Sequence, residues 1–169
     1  SEVKGSVRAL SKQGQVEESV SVMQESLAIA RSISDDWLKS FALMDIAVAL
    51  SKQGQVEESL AIARGISDES DRSNALRDIA EALSEQGKLE ESASVMQESL
   101  AIARGISNES DRSSTLKTIA EALSKQGDSV LSEKTGLEIP QIADRHQCWK
   151  TIAENTCKEV GQQQALQQV

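Results

Sequence analysis

Aromatic side chains are almost missing from this chain: among 169 residues there are two Trp, one Phe and no Tyr. A core without rings has to be assembled from Leu, Ile, Val and Ala. Proline occurs once, at Pro140. The remaining composition, rich in Ala, Leu, Glu, Gln and Lys, has high summed helix propensity. No segment alternates apolar and polar residues with β-branched bias, so strands are not expected. The two cysteines, Cys148 and Cys157, and the single histidine, His146, are too few for a disulfide framework or a metal site, so no metal and no cofactor are expected. No run of 18 apolar residues is present, so no membrane span is expected. Nothing at the N-terminus reads as a secretory leader, and a reduced, cytoplasmic setting is the expectation. Positive charge is scarce as well: 18 Lys and Arg stand against 27 Asp and Glu, for a formal net charge of −9. Nucleic-acid affinity rests largely on Lys and Arg neutralising phosphates, so no nucleic-acid partner is expected.

What the chain has in abundance is repetition. The block Leu10–Ser19 returns identically at Leu50–Ser59, returns as LSEQGKLEES at Leu83–Ser92, and begins again as LSKQG at Leu123. Gly14, Gly54, Gly87 and Gly127 are therefore spaced by 40, 33 and 40 residues. The extra seven residues can be seen: ESVSVMQ precedes ESLAIAR at 18–31, and ESASVMQ precedes it at 91–104, whereas residues 58–64 are ESLAIAR alone. Seven residues are close to two helical turns, so an apolar stripe drifts by only about 20° across them. The insertion lengthens a helix by about 10 Å without rotating its buried face away.

Each unit reads as two helices. In the second unit Asp35 or Ser34 can cap the first helix, its side-chain oxygen accepting from free first-turn amides. Leu43, Ile46, Ala47 and Leu50 fall at i, i+3, i+4 and i+7 on one face. Gly54 stops the helix, since a left-handed C′ position costs glycine least. Val56 begins the second helix, and Leu60, Ala63 and Ile66 continue its stripe. The SDESD and SNESD segments at 67–71 and 107–111 place acids in a first turn, which suits the helix dipole. Asp71 and Asp111 therefore read as helix-start charges, because an active site is needed once and a helix start is needed in every unit. Residues 128–140 permit a short helix before Gly136 and a loop into Pro140, which suits the first turn of a helix from about Gln141.

Helix–glycine turn–helix units of this length resemble the tetratricopeptide family, over roughly residues 3–161. The family's large apolar positions fall on Leu43, Ile46 and Leu50, and on Leu76, Ile79 and Leu83. Its small residue in the first helix falls on Ala47, Ala80 and Ala120. A degenerate last unit offers Trp149, Ile152 and Ala153. The sequence departs from the family in a 33-residue short unit, in Ser at the small position of the second helix (Ser59, Ser92), and in the missing closing Pro. The resemblance implies an all-α fold, a right-handed solenoid of antiparallel helix pairs. Five units are expected, at about 1–34, 35–67, 68–107, 108–140 and 141–169, in one domain cut from a longer array.

In that family the first helix of each pair lines a concave groove. The resemblance places Phe41, Met44 and Val48 there in the second unit; Asn74, Arg77 and Glu81 in the third; Ser114, Lys117 and Glu121 in the fourth; Gln147, Lys150 and Glu154 in the fifth. Lys4 and Arg8 belong to the first. Trp37, Phe41, Met44 and Val48 form a second apolar stripe at i, i+4, i+7 and i+11, where the third unit has Ser70, Asn74, Arg77 and Glu81. That stripe is either an anchor site for a peptide or helix, or is packed against the first unit's second helix or an upstream helix. The pairs Arg77/Glu81, Lys117/Glu121 and Lys150/Glu154 either neutralise themselves on a solvated face or line a mixed-charge groove. Glu stands where a carboxylate clamp would require Asn. No catalytic constellation is found: His146 and Cys148 are two residues apart on a helix and point to different sides, and Cys157 is three turns from His146. The expected function is non-catalytic, a scaffold holding a protein or peptide partner. The alternative is a self-assembly segment that forms homo-oligomers through the 37–48 stripe.

Overall fold

The computed structural model describes residues 22–166, and every regular element among them is helical. Helix α1 runs over residues 22–32. It is followed by α2 (Asp36–Lys52), α3 (Val56–Arg64), α4 (Glu69–Glu85), α5 (Leu89–Gly105), α6 (Glu109–Lys125), α7 (Ser129–Glu138) and α8 (Ile142–Leu166). The positions read as the first unit's groove residues, Lys4 and Arg8, lie outside the described residues.

The helix starts and stops follow local chemistry. Asp35 accepts from the Leu38 amide, Asp68 from Asp71, Asn108 from Ser110 and Asp111, and Asp128 from Leu131. Each supplies a carboxylate or amide oxygen to otherwise unpaired first-turn donors. Asp71 and Asp111 sit in first turns, as their recurrence implied. At the other end Gly54, Gly87 and Gly127 take φ of 82°, 77° and 82°. Around each, two backbone bonds close the helix: Gly54 N to Ser51 O and Gln55 N to Leu50 O, with the same pair at Gly87/Lys88 and Gly127/Asp128. This is the Schellman arrangement, which satisfies carbonyls that the helix end leaves free.

Packing orders these helices into a solenoid. The first helices α2, α4, α6 and α8 lie against one another in series. Each second helix, α3, α5 or α7, packs on its own first helix and on the next one. Among the described residues, consecutive second helices share no backbone packing. The core runs along the whole stack: Leu76, Ile79, Ala80 and Leu83 of α4 are fully buried, as are Ile119 and Ala120 of α6. Burying a Leu or Ile side chain contributes about 1.5–3 kcal/mol, so these stripes hold the pairs together.

Two polar contacts recur in register with the core. Ser59 donates to the Ala47 carbonyl at 2.6 Å, Ser92 to Ala80 at 2.6 Å and Ser132 to Ala120 at 2.8 Å. The serine that departs from the family's small residue thus bonds the first helix to the second where both are closest. At the three corners after α3, α5 and α7 a buried Ile (Ile66, Ile106, Ile139) plugs the turn. Its carbonyl accepts from an arginine six residues on: Arg72 and Arg112 at 2.7 Å, Arg145 at 2.9 Å.

The structure departs from the sequence reading in three places. Helix α7 continues through Gly136 to Glu138, because a Gly inside a helix costs only about 1 kcal/mol, and Gly136 is buried beside Cys148, Trp149 and Ile152 of α8. Pro140 stands outside the last helix, which begins at Ile142. Ala153 is exposed, since among the described residues no second helix follows α8 to cover it as α3, α5 and α7 cover Ala47, Ala80 and Ala120.

Candidate partner-binding surface

The apolar stripe on α2 rises out of the core along its length. Val48 and Met44 are half-buried, Met44 against the core cluster. Phe41 is 46% exposed and Trp37 65%. The two rings touch, with planes tilted by 45° and centroids 5.5 Å apart, a separation within the range that aromatic pairs favour. Leu38, 50% exposed, widens the surface beside them. Helix α1 sends Leu27 and Ala30 into the common core, yet Trp37 and Phe41 remain open. The stripe thus faces solvent at its Trp37/Phe41 end, while its equivalents on α4 are Ser70, Asn74, Arg77 and Glu81.

The charged rows behave differently from the self-neutralising pairs that their spacing allows. Arg77 does not turn to Glu81. Its Nη1 donates to Asn74 Oδ1 at 2.8 Å, and its Nε and Nη2 donate to Asp78 Oδ1 at 3.0 and 2.6 Å. Thr118 of α6 adds a donor to the same Asn74 oxygen at 3.3 Å. Lys117 passes over Glu121 and donates to Asp144 of α8 at 3.0 Å. The Lys117 ammonium, with help from the Ser113 hydroxyl, holds the Asp144 carboxyl below the usual carboxylate range. Lys117 and Asp144 are only 25% and 24% exposed, so water screens their attraction less than that of an exposed i, i+4 pair. Lys117 thus ties α6 to α8, while Arg77 is held by side chains of its own helix. Glu81 and Glu121 are half-buried beside them, while Lys150 and Glu154 are exposed and form no ion pair with each other. Near Glu81, the ends of α4 and α6 leave an open cleft of about 340 Å³, lined by Ser84, Glu85, Ala122, Lys125 and Gln126 besides.

Residues 73–111 match the family model described as tetratricopeptide repeat. The described residues form tetratricopeptide-like helical repeats. No curated protein and no solved structure matches it. Tetratricopeptide repeats serve protein–protein interaction in general, and the family is generally a non-catalytic scaffold. The matched segment starts in α4, crosses all of α5 and ends in the first turn of α6. It thus includes Ser92, Ile106 and both members of the buried Ser73–Ser99 pair, whose hydroxyls donate to each other's carbonyls at 2.9 and 2.7 Å.

The residues singled out for chemistry do not converge. His146 is exposed, Cys148 is fully buried and Cys157 is exposed. Burial, with Glu121 nearby and Lys117 opposing, pushes the Cys148 thiol up to about 11, so it is neutral at physiological pH. Among the described residues no group of three or more His, Cys, Asp or Glu could hold a metal ion, and no helix is long and apolar enough to cross a membrane.

Sequence reasoning missed two sets of structural side chains in these repeats. One is the corner arginines. The other is a pair of two-pronged bridges between second helices, Arg64 to Glu98 at 2.8 and 2.7 Å and Arg104 to Glu138 at 2.6 and 2.7 Å. The Arg six residues after each corner Ile was visible as a recurrence. Glu98 and Glu138 recur as well, each 34 residues after its arginine, but the segments around them, QESLA and GLEIP, are unlike each other and hid the match.

Proposed function

We propose that this chain is a non-catalytic scaffold that receives a peptide or helix of a partner protein on its first-helix side, with Trp37 and Phe41 as anchors. The observation that carries this reading is the touching, solvent-facing aromatic pair on α2 in a chain that has only three aromatic residues. Exposed aromatic side chains that can be desolvated in one step are the usual energetic centre of an interface. Met44 and Val48 form the inner edge of the site, and Arg77, Glu81, Lys117, Glu121, Lys150 and Glu154 its polar continuation, with Lys117 tied to Asp144.

The test is a Trp37→Ser/Phe41→Ser double variant. Both side chains are exposed, so helicity and melting temperature should stay near the parent's. A partner captured by the parent should be lost or weakened at least tenfold in the variant, as measured by calorimetry or surface binding. Equal binding by parent and folded variant overturns the assignment. If instead the parent is an oligomer in light scattering and the variant a monomer, the stripe serves self-assembly.

A further inference from the structure

The seams between successive first helices are not closed alike. Across α2 and α4 the Gln86 amide donates to the Ser51 carbonyl at 2.8 Å, and across α6 and α8 the Asn155 amide donates to the Ser124 hydroxyl at 3.2 Å. Between α4 and α6 the repeat puts Gln126 in the place of Gln86, and there the bond is missing. The Gln126 Nε2 is buried and has no hydrogen-bond partner. A buried donor left unpaired is costly, and folded proteins keep few of them. The seam is also open at this point. The cleft of about 340 Å³ between the ends of α4 and α6 has Gln126 in its lining, and its volume lies within the roughly 300–1,000 Å³ of ligand clefts.

Charge decides what this cleft can take. Glu81 and Glu85, one helical turn apart, form the α4 wall, and Lys125 stands on the α6 wall. Among the described residues neither glutamate forms an ion pair. The nearest cations of the row are engaged elsewhere, Arg77 with Asp78 and Lys117 with Asp144. Lys125 is exposed, and its long stem lets the ammonium stay in water. A carboxylate ligand would meet two carboxylates and one ammonium, in a chain of net charge −9. A cationic ligand meets the reverse. Arginine fits best, because its rigid guanidinium fork pairs with carboxylates through parallel bonds. The main-chain carbonyl beside such a side chain is an acceptor of the kind that Gln126 Nε2 lacks. We propose that the α4/α6 cleft takes an arginine of the partner segment, held by Glu81 and Glu85 and with its neighbouring carbonyl received by Gln126. This rests on the proposed function, since Glu81 holds the place of Val48 on the next first helix, and it adds that the bound segment is basic.

The probe is the blocked tripeptide N-acetyl-Gly-Arg-Gly-amide, titrated into the isotope-labelled full chain and followed by NMR. The Gln126 side-chain amide and the backbone amides of Glu81, Glu85 and Lys125 should shift together and saturate. The twin peptide with Glu in place of Arg should leave them unmoved. Glu81→Gln/Glu85→Gln, which keeps the side-chain shapes, should weaken the arginine peptide about tenfold, the size of one lost hydrogen bond to a charged group. Glu90→Gln/Glu133→Gln removes the same charge from exposed positions on α5 and α7 and should change nothing. Absence of saturable shifts in the parent overturns the proposal, as does preference for the Glu peptide. Equal weakening by the two double variants also overturns it, since the attraction would then be diffuse. The tripeptide has no apolar side chain, so its titration should be the same in Trp37→Ser/Phe41→Ser. The cleft and the aromatic anchors therefore fail separately.

Discussion

Two glycines show how much a single residue's backbone decides. Gly87 has φ of +77°, while Gly105 ends α5 with open space where a Cβ would stand. An L side chain in the left-handed region costs about 1–2 kcal/mol, whereas Ala at a compatible helical site removes unfolded-state entropy and stabilises by about 0.4–1 kcal/mol. Gly87→Ala should lower, and Gly105→Ala hold or raise, the urea midpoint, with no change in the denaturant slope. The two cysteines separate in the same way. Cys148 is fully buried and its thiol is pushed up to about 11, while Cys157 is exposed; only the thiolate attacks. A disulfide reagent at neutral pH should titrate one thiol at once and the second only on unfolding, and Cys157→Ser should remove the fast phase.

At the scale of elements, the alternation that the repeat spacing announced is an alternation of second helices. Helices α3 and α7 are short, with 9 and 10 residues, and α5 is long, with 17, while α2, α4 and α6 all have 17. The first helices must match because they pack in series. The second helices can differ because their direct ties are the Arg64–Glu98 and Arg104–Glu138 bridges. In both bridges the arginine holds the glutamate carboxyl below its ordinary range, chiefly through the side-chain hydrogen bonds. A carboxylate whose pKa is depressed on folding contributes stability that is present above its unfolded value, about 4.3, and lost as pH falls through the folded one. Asp71 works in the opposite sense: burial, then the neighbouring Asp68, raises it, so acid relieves a cost there. With Glu98, Glu138 and Asp144 depressed against one raised group, stability should fall below about pH 4.3. Partial exposure limits each bridge to at most about 1 kcal/mol. Chemical unfolding from pH 6 to 3 should show a shallower acid decline in an Arg64→Ala/Arg104→Ala variant than in the parent.

Over the whole molecule, the fold was legible because one physical rule was written several times. Leu43, Ala47 and Leu50, and their counterparts in α4 and α6, are buried where a 3.6-residue period puts them, and Gly54, Gly87 and Gly127 have the positive φ that their place required. The surface was less legible. The spacing of Arg77 and Glu81, or Lys117 and Glu121, says only that they can meet along one helix. Which partner wins depends on every acceptor in reach: Arg77 takes Asn74 and Asp78 of its own helix, and Lys117 takes Asp144 of the next first helix. Trp37 and Phe41 were found because apolar residues outside the core period have no reason within the repeat. The chain is in effect a two-sided strip, one side continuous through its packed first helices, the other joined by salt links across gaps. Bending stiffness in such a strip is set mostly by the linked side. Ions screen surface charges over a Debye length of about 8 Å at physiological strength, so the ionic medium sets the compliance of this side and, through it, how far the strip can flex to follow the shape of what it holds.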